Sequence, residues 1–281
     1  MPLPPELTAV FAPCQTPYDL QLYLDSLPYV GEDLNRSPLR VVRDRQAHCL
    51  DGGLLLAAGL EYLGFPPLIL DLVPEPGTDD DHVLAVFQQY GCWGAVAKSN
   101  YSGLRYREPV FRSLRELAMS YFEPFFNIDG MRTLRGYTRL LHLAPLHRWD
   151  WLTTEAGVER VAAHLYRLQP IPLLPAAILP RLTRVDQRSY QAGTLGTDFD
   201  GVFKPGGQGG GSYLPSTSDW GMIIPAYTGW LPLGEQRLEQ EQVRQVLRLL
   251  KPRSAQLLLL RHSGFSYQEI AASLQLTPNS V

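Results

Sequence analysis

RDRQAHCLDGGLLLAAGLEYLGFPPLILDLVPEPGTDDDHVLAVFQQYGCWGAVAKSNYSGLRYREP, residues 43–109, decides how this chain is read. From His48 to Leu63 apolar residues run almost all round a helical wheel, which predicts a central, enclosed helix. Gly64 stands where a left-handed helix stop is expected, and Pro66-Pro67 prevents continuation. Leu68 to Val73 reads as a strand and Pro74 to Asp81 as a turn region. His82 to Phe87 is a second strand, Tyr90-Gly91 a turn, and Trp93 to Ala97 a third. Few residues separate these two strands, so they are expected to be antiparallel neighbours. Both are apolar on both faces, which predicts a sheet covered on two sides. The fold class expected is α+β, with a helix packed on an antiparallel sheet.

Outward from this core, residues 17–30 carry a helical apolar pattern that should end before Pro28. Residues 111–126 and 154–168 read as two further amphipathic helices. The Pro- and Leu-rich run 169–180 should lie extended against the core. Residues 206–233 have the composition of a Gly/Ser/Pro-rich linker, clearest at 206–218. The expected organisation is a domain over 1–205, that linker, and a helical unit over 234–281.

The 281 residues are 45% hydrophobic and 19% charged, with a formal net charge of −3. A substantial core is therefore available. No global basic field exists to hold nucleic acid or an anionic membrane. No signal peptide and no span of about 18 uncharged apolar residues is evident, so a cytoplasmic protein without membrane association is expected. Cys14, Cys49 and Cys92 are odd in number and widely spaced. They fit neither a disulfide framework nor zinc spacing.

Cys49 opens the central helix, His82 opens a strand, and Asn100 follows the next strand. A thiol, an imidazole and an amide are the parts of a cysteine acyl-transfer site. The helix start should favour thiolate and offer N–H groups to an oxyanion. His82 would take and return the proton. Gln46 is an oxyanion candidate, and Arg105 and Arg107 are candidates to hold an acidic substrate group. His48 cannot share the direction of its neighbour Cys49, so it is read as an orienting or surface residue. The competing reading is that Cys49 fills space, as buried free cysteines commonly do. Asp79-Asp80-Asp81 alternate in direction on an extended chain and do not predict a metal site. Residues 206–211 follow no strand and lack Lys-Ser/Thr, so they do not make a phosphate loop.

The runs HCLDGGLLLAAGLEYLGFPPLILDL, DDDHVLAVF and WGAVAKSNY resemble the transglutaminase-like cysteine domain over about residues 40–110. The resemblance implies a papain-like core with Cys49 as nucleophile and His82 as base. That family places Asp after the third strand; here Asn100 is the chemically competent substitute, with Ser99 or Lys98 as other registers. The implied chemistry is hydrolysis or acyl transfer at a peptide or other amide, with no cofactor and no metal. Residues 252–281 resemble a truncated sigma-factor region 4 helix-turn-helix. A capping box runs from Ser266 to Glu269, and Pro278 opens the next helix. Only four residues of the reading helix are present and no Lys/Arg cluster follows, so DNA binding is not expected. The alternative function is a non-catalytic regulatory or binding protein with a partial sigma-like tail.

Overall fold

The computed structural model describes residues 3–32 and 34–204, all within a compact unit spanning Met1–Ser212. The expected linker at 206–233 and helical unit at 234–281 lie outside the described residues. Among the described residues no helix is long and apolar enough to cross a membrane.

The fold is α+β. Three short helices come first, α1 (Pro5–Phe11), α2 (Pro17–Asp25) and α3 (Pro38–Asp44), each with proline in its first turn, where the missing N–H has no intrahelical partner to lose. Thr16 and Asp19 close a reciprocal capping box on α2. The central helix is α4 (Cys49–Tyr62), and every residue from Leu50 to Leu60 is buried. Gly64 adopts φ +90°, the left-handed stop its position predicted.

The sheet follows as β1 (Leu68–Pro74), β2 (His82–Gln89), β3 (Cys92–Val96) and β4 (Arg107–Phe111). After α5 (Leu114–Met119) come β5 (Leu134–Tyr137) and β6 (Leu141–His142). Helix α6 (Glu155–Leu165), β7 (Ile171–Pro172) and α7 (Gln187–Gly193) complete the series. The strand order is β4-β3-β2-β1-β5-β7, with β6 also pairing β1, and every pairing is antiparallel. The two-residue turn Tyr90-Gly91 has φ +50° and +79°, matching the twist of the strands it joins.

The pleat divides the core in two. Ile69, Val83, Ala85, Phe87 and Val96 pack with α4 on one face. Leu70, Leu72, Leu84, Val86 and Ala95 pack with Leu117, Tyr121 and Phe125 on the other. This double cover is why β1 and β2 read as continuous apolar runs rather than alternating ones.

Two local expectations need correction. Residues 111–126 are not one helix: Phe111 pairs with Trp93 at the end of β4, and Ser113 caps the short α5 through the Glu116 N–H at 3.2 Å. Residues 169–180 do not lie as one extended run against the core. Ile171-Pro172 forms an exposed edge strand, and a 3₁₀ turn occupies Ala176–Arg181 with no buried residue.

Candidate functional site

The site lies at the end of β2, where the first turn of α4 meets the sheet. Two glycines set that approach. A Cβ on Gly53 would sit 2.8 Å from Val83 Cγ1, and one on Gly52 would sit 2.4 Å from Lys98 Cβ. The helix start can rest on β2 only because those atoms are absent.

The helix start is also held from below. His48 is the N-cap: its Nδ1 accepts the Leu50 N–H at 3.2 Å, and Asp51 completes the box by accepting the His48 N–H at 3.4 Å. Asp51, fully buried, accepts the Arg36 N–H at 2.7 Å and lies 3.5 Å from the Arg36 guanidinium. Because Nδ1 accepts, the His48 proton sits on Nε2, which reaches the Leu34 carbonyl at 3.2 Å. Burial holds His48 down to about 4, so it is neutral. The adjacent imidazole is thus an orienting cap; Arg36 and Asp51, which no sequence pattern singled out, anchor the turn that presents Cys49.

Cys49 and His82 line one cleft together with Tyr29, Asp79, Asp80, Asp81, Asn100, Tyr101, Phe125 and Phe126. The Cys49 thiol donates to the Asp81 carbonyl at 3.8 Å. His82 Nε2 lies 2.6 Å from the Leu104 carbonyl. A carbonyl only accepts, so Nε2 carries the proton and Nδ1 keeps a lone pair. The pleat places His82 on the face of Tyr121 and Phe125, with ring centroids 6.4 and 6.5 Å away. Cys49 and His82 therefore enter the cleft from opposite faces, around the end of β2. No Cys49–His82 hydrogen bond occurs among the described residues.

The electrostatics oppose a resting ion pair. Burial first, then the Asp81 and Asp80 carboxylates, push the Cys49 thiol well up, while a Val83 backbone hydrogen bond pulls the other way. A helix start contributes about 0.3–1 kcal/mol toward thiolate; burial beside like charge shifts a group by up to 3–5 pKa units. The second effect wins, so the helix start does not lower the thiol as the sequence alone suggested. Burial and then Arg107 hold His82 down to about 4. The pair rests as neutral thiol and neutral imidazole. Beside it, burial and then Asp81 hold Asp71 well up, and burial and Asp80 raise Asp81 to about 7.

The other residues singled out by sequence stand as follows. Asn100 spends its amide on Asp198, donating to its carbonyl at 2.7 Å and accepting its N–H at 2.9 Å. Ser99 Oγ accepts the Tyr101 N–H at 3.0 Å. Lys98 is buried and donates to the Leu24 carbonyl at 3.0 Å and to that of Leu27. The Leu104 carbonyl occupies the orienting position on His82 that a side chain was expected to fill. Gln46 is not among the residues lining the cleft. Arg105 pairs with Asp25 at 3.1 Å. Arg107 donates to Ser120 Oγ at 3.0 Å and to the Gly103 carbonyl at 2.8 Å, with its guanidinium 3.9 Å over the Tyr121 ring. Neither arginine lines the cleft. Among the described residues no group of three or more His, Cys, Asp or Glu side chains could hold a metal ion.

Comparison with known proteins gives a match outside this region. The family model described as Sigma-70, region 4 matches residues 240–281. No curated protein matches the chain.

Proposed function

We propose that residues 1–205 are a transglutaminase-like, papain-like domain that hydrolyses or transfers the acyl group of a peptide or other amide. Cys49 is the nucleophile and His82 the base, with the Leu104 carbonyl fixing its tautomer. The observation that carries this reading is the pairing of a strand-end imidazole, its Nδ1 lone pair left available, with a helix-start thiol in one cleft. A carbonyl holds the imidazole as an amide or carboxylate does in cysteine enzymes, though it stabilises imidazolium less than a carboxylate would.

In the proposed reaction the Cys49 side chain rotates away from the Asp81 carbonyl toward His82 Nδ1. Nδ1 takes the thiol proton as sulfur attacks the amide carbon. Collapse of the tetrahedral intermediate breaks the C–N bond, and imidazolium returns its proton to the leaving amine. The thioester is then attacked by water or by an amine, deprotonated by Nδ1, which restores the thiol. The neutral resting pair suits this order, because proton transfer and attack are coupled rather than separated.

A peptidyl chloromethyl ketone tests the reading on the full chain. Cys49 should be alkylated selectively over Cys14 and Cys92, and His82→Ala should abolish that selectivity. Equal rates at the three cysteines, or indifference to His82→Ala, removes the enzyme reading.

The match at 240–281 favours a second reading, a regulatory protein whose tail docks on DNA or on transcription machinery. A mobility-shift titration with duplex DNA at several salt concentrations examines it. Micromolar binding lost on deleting residues 240–281 would promote it.

A further inference from the structure

We propose that residues 197–203 form a strap that closes the Cys49 cleft, so that a peptide reaches the thiol only when the strap swings out about Gly196. That the covered thiol is catalytic rests on the function proposed above; the covering itself does not.

The strap runs from rim to rim. It leaves α7, which is seated on the body by the Tyr190 hydroxyl donating to the Ile128 carbonyl at 2.9 Å and by Ser102 Oγ donating to the Ala192 carbonyl at 2.7 Å. On one rim, past β3, the Asn100 amide takes both main-chain groups of Asp198, and the Asn100 carbonyl accepts the Thr197 hydroxyl at 2.9 Å. On the other rim, past α2, a Cβ on Gly31 would lie 2.7 Å from the Gly201 Cα and carbonyl oxygen, so the two backbones touch. From this contact onward Gly201, Val202 and Phe203 line the cleft with Cys49 and His82. Gly201 also lines an adjoining recess, which shares Tyr29 and Cys49 with the cleft. The strap therefore borders both spaces that Cys49 lines.

Its attachment is light. From Thr194 to Lys204, Val202 alone is buried. The 3₁₀ turn Phe199–Gly201 buries nothing, and the Phe199 ring is exposed. A segment held by one apolar side chain and by hydrogen bonds to Asn100 opens at a lower free energy than the core. Gly196, at φ +77° with nothing within 4 Å of an added Cβ, supplies an unobstructed pivot. A fixed wall of the fold would instead be buried along its length, as α4 is from Leu50 to Leu60.

Two measurements on the full chain decide this. Hydrogen exchange reads the opening. The Asp198 amide, which donates to Asn100, should be at least about a hundredfold less protected than the Leu55 and Leu56 amides of α4. Maleimides read the gating. The quantity is the rate of bulky N-pyrenylmaleimide over that of N-methylmaleimide at Cys49, divided by the same ratio at the buried Cys14. Thiol acidity cancels within each ratio, and general loosening of the body cancels between the two thiols. Val202→Ser should raise this quantity at least about tenfold, the scale of exposing one buried valine. Asp198→Pro, at an exposed position, removes the N–H that Asn100 accepts and should raise it severalfold. No rise in either variant would overturn the proposal, as would an Asp198 amide as protected as those of α4. The rise should persist in a His82→Ala background, because maleimides report access and not catalysis. Absence of His82-dependent chloromethyl ketone selectivity with the gating intact would instead count against catalysis alone.

Discussion

His82 Nε2 donates to the Leu104 carbonyl at 2.6 Å, so a main-chain oxygen, fixed by the turn that follows β3, determines which imidazole nitrogen is free. That bond makes the tautomer a property of the backbone path rather than of any side chain. Replacing Asn100, whose amide is spent on Asp198, should leave the imidazole in place.

The tautomer is directly observable. Imidazole nitrogen NMR should show His82 neutral, with its proton on Nε2, and protonating only near pH 4. Its folded value lies below the 6.5 usual for imidazole, so its contribution to stability is present above 6.5 and is lost as pH falls through about 4. A titration midpoint at or above 6.5 would show that burial does not govern this ring. Asn100→Ala should leave the spectrum unchanged.

Cys49 should be a sluggish thiol toward a small neutral alkylator. Its iodoacetamide rate should still be rising at pH 9, because burial and the Asp81 and Asp80 carboxylates disfavour thiolate. Asp81→Asn should move the rate profile to lower pH. A wild-type plateau below pH 8 would mean that the helix start outweighs its acidic surroundings.

Gly53→Val should displace the start of α4 from β2, since even a Cβ would lie 2.8 Å from Val83 Cγ1. Overpacking of this kind costs about 1–3 kcal/mol, readable as a lower urea midpoint. Chloromethyl ketone selectivity at Cys49 should fall with it. Gly77→Ala, where nothing lies within 4 Å of the added carbon but φ is +73°, tests backbone strain without touching the site. It should lower stability and leave labelling selectivity intact.

Asp79 offers a stability measurement with a defined sign. Burial raises it from 3.8 to about 7, against the Thr133 hydroxyl that donates to it at 2.6 Å. The fold thus prefers the protonated acid. Its contribution is present below about pH 4 and is lost as pH rises through about 7. Asp79→Asn removes that dependence, so the variant should gain on wild type by on the order of 1–3 kcal/mol between those limits and by no more above them. A difference constant across pH would show that Asp79 ionises freely in the folded protein.

The hydrophobic framework could be read from the order of residues alone. The all-round apolar run that became α4, the glycine stop at Gly64, the Tyr90-Gly91 hairpin and the doubly covered strands β2 and β3 were all legible. Each depends on neighbours within a few positions, through periodicity and turn chemistry. The shortest strands were not legible, because β6 and β7 are two residues each and exist only through the edges they pair with. The candidate thiol and imidazole could be named because their residue types and element starts are local facts. Their environments could not. Whether a helix start favours thiolate depends on which carboxylates the sheet brings beside it, and Asp71 and Asp81 meet only through pairing of β1 with β2. Likewise, Arg105 and Arg107 looked available until the fold supplied partners for both. Tertiary structure decided the charge of the cleft, the side from which His82 enters it and the partner of its ring, because each is set by residues distant in sequence that burial forces together.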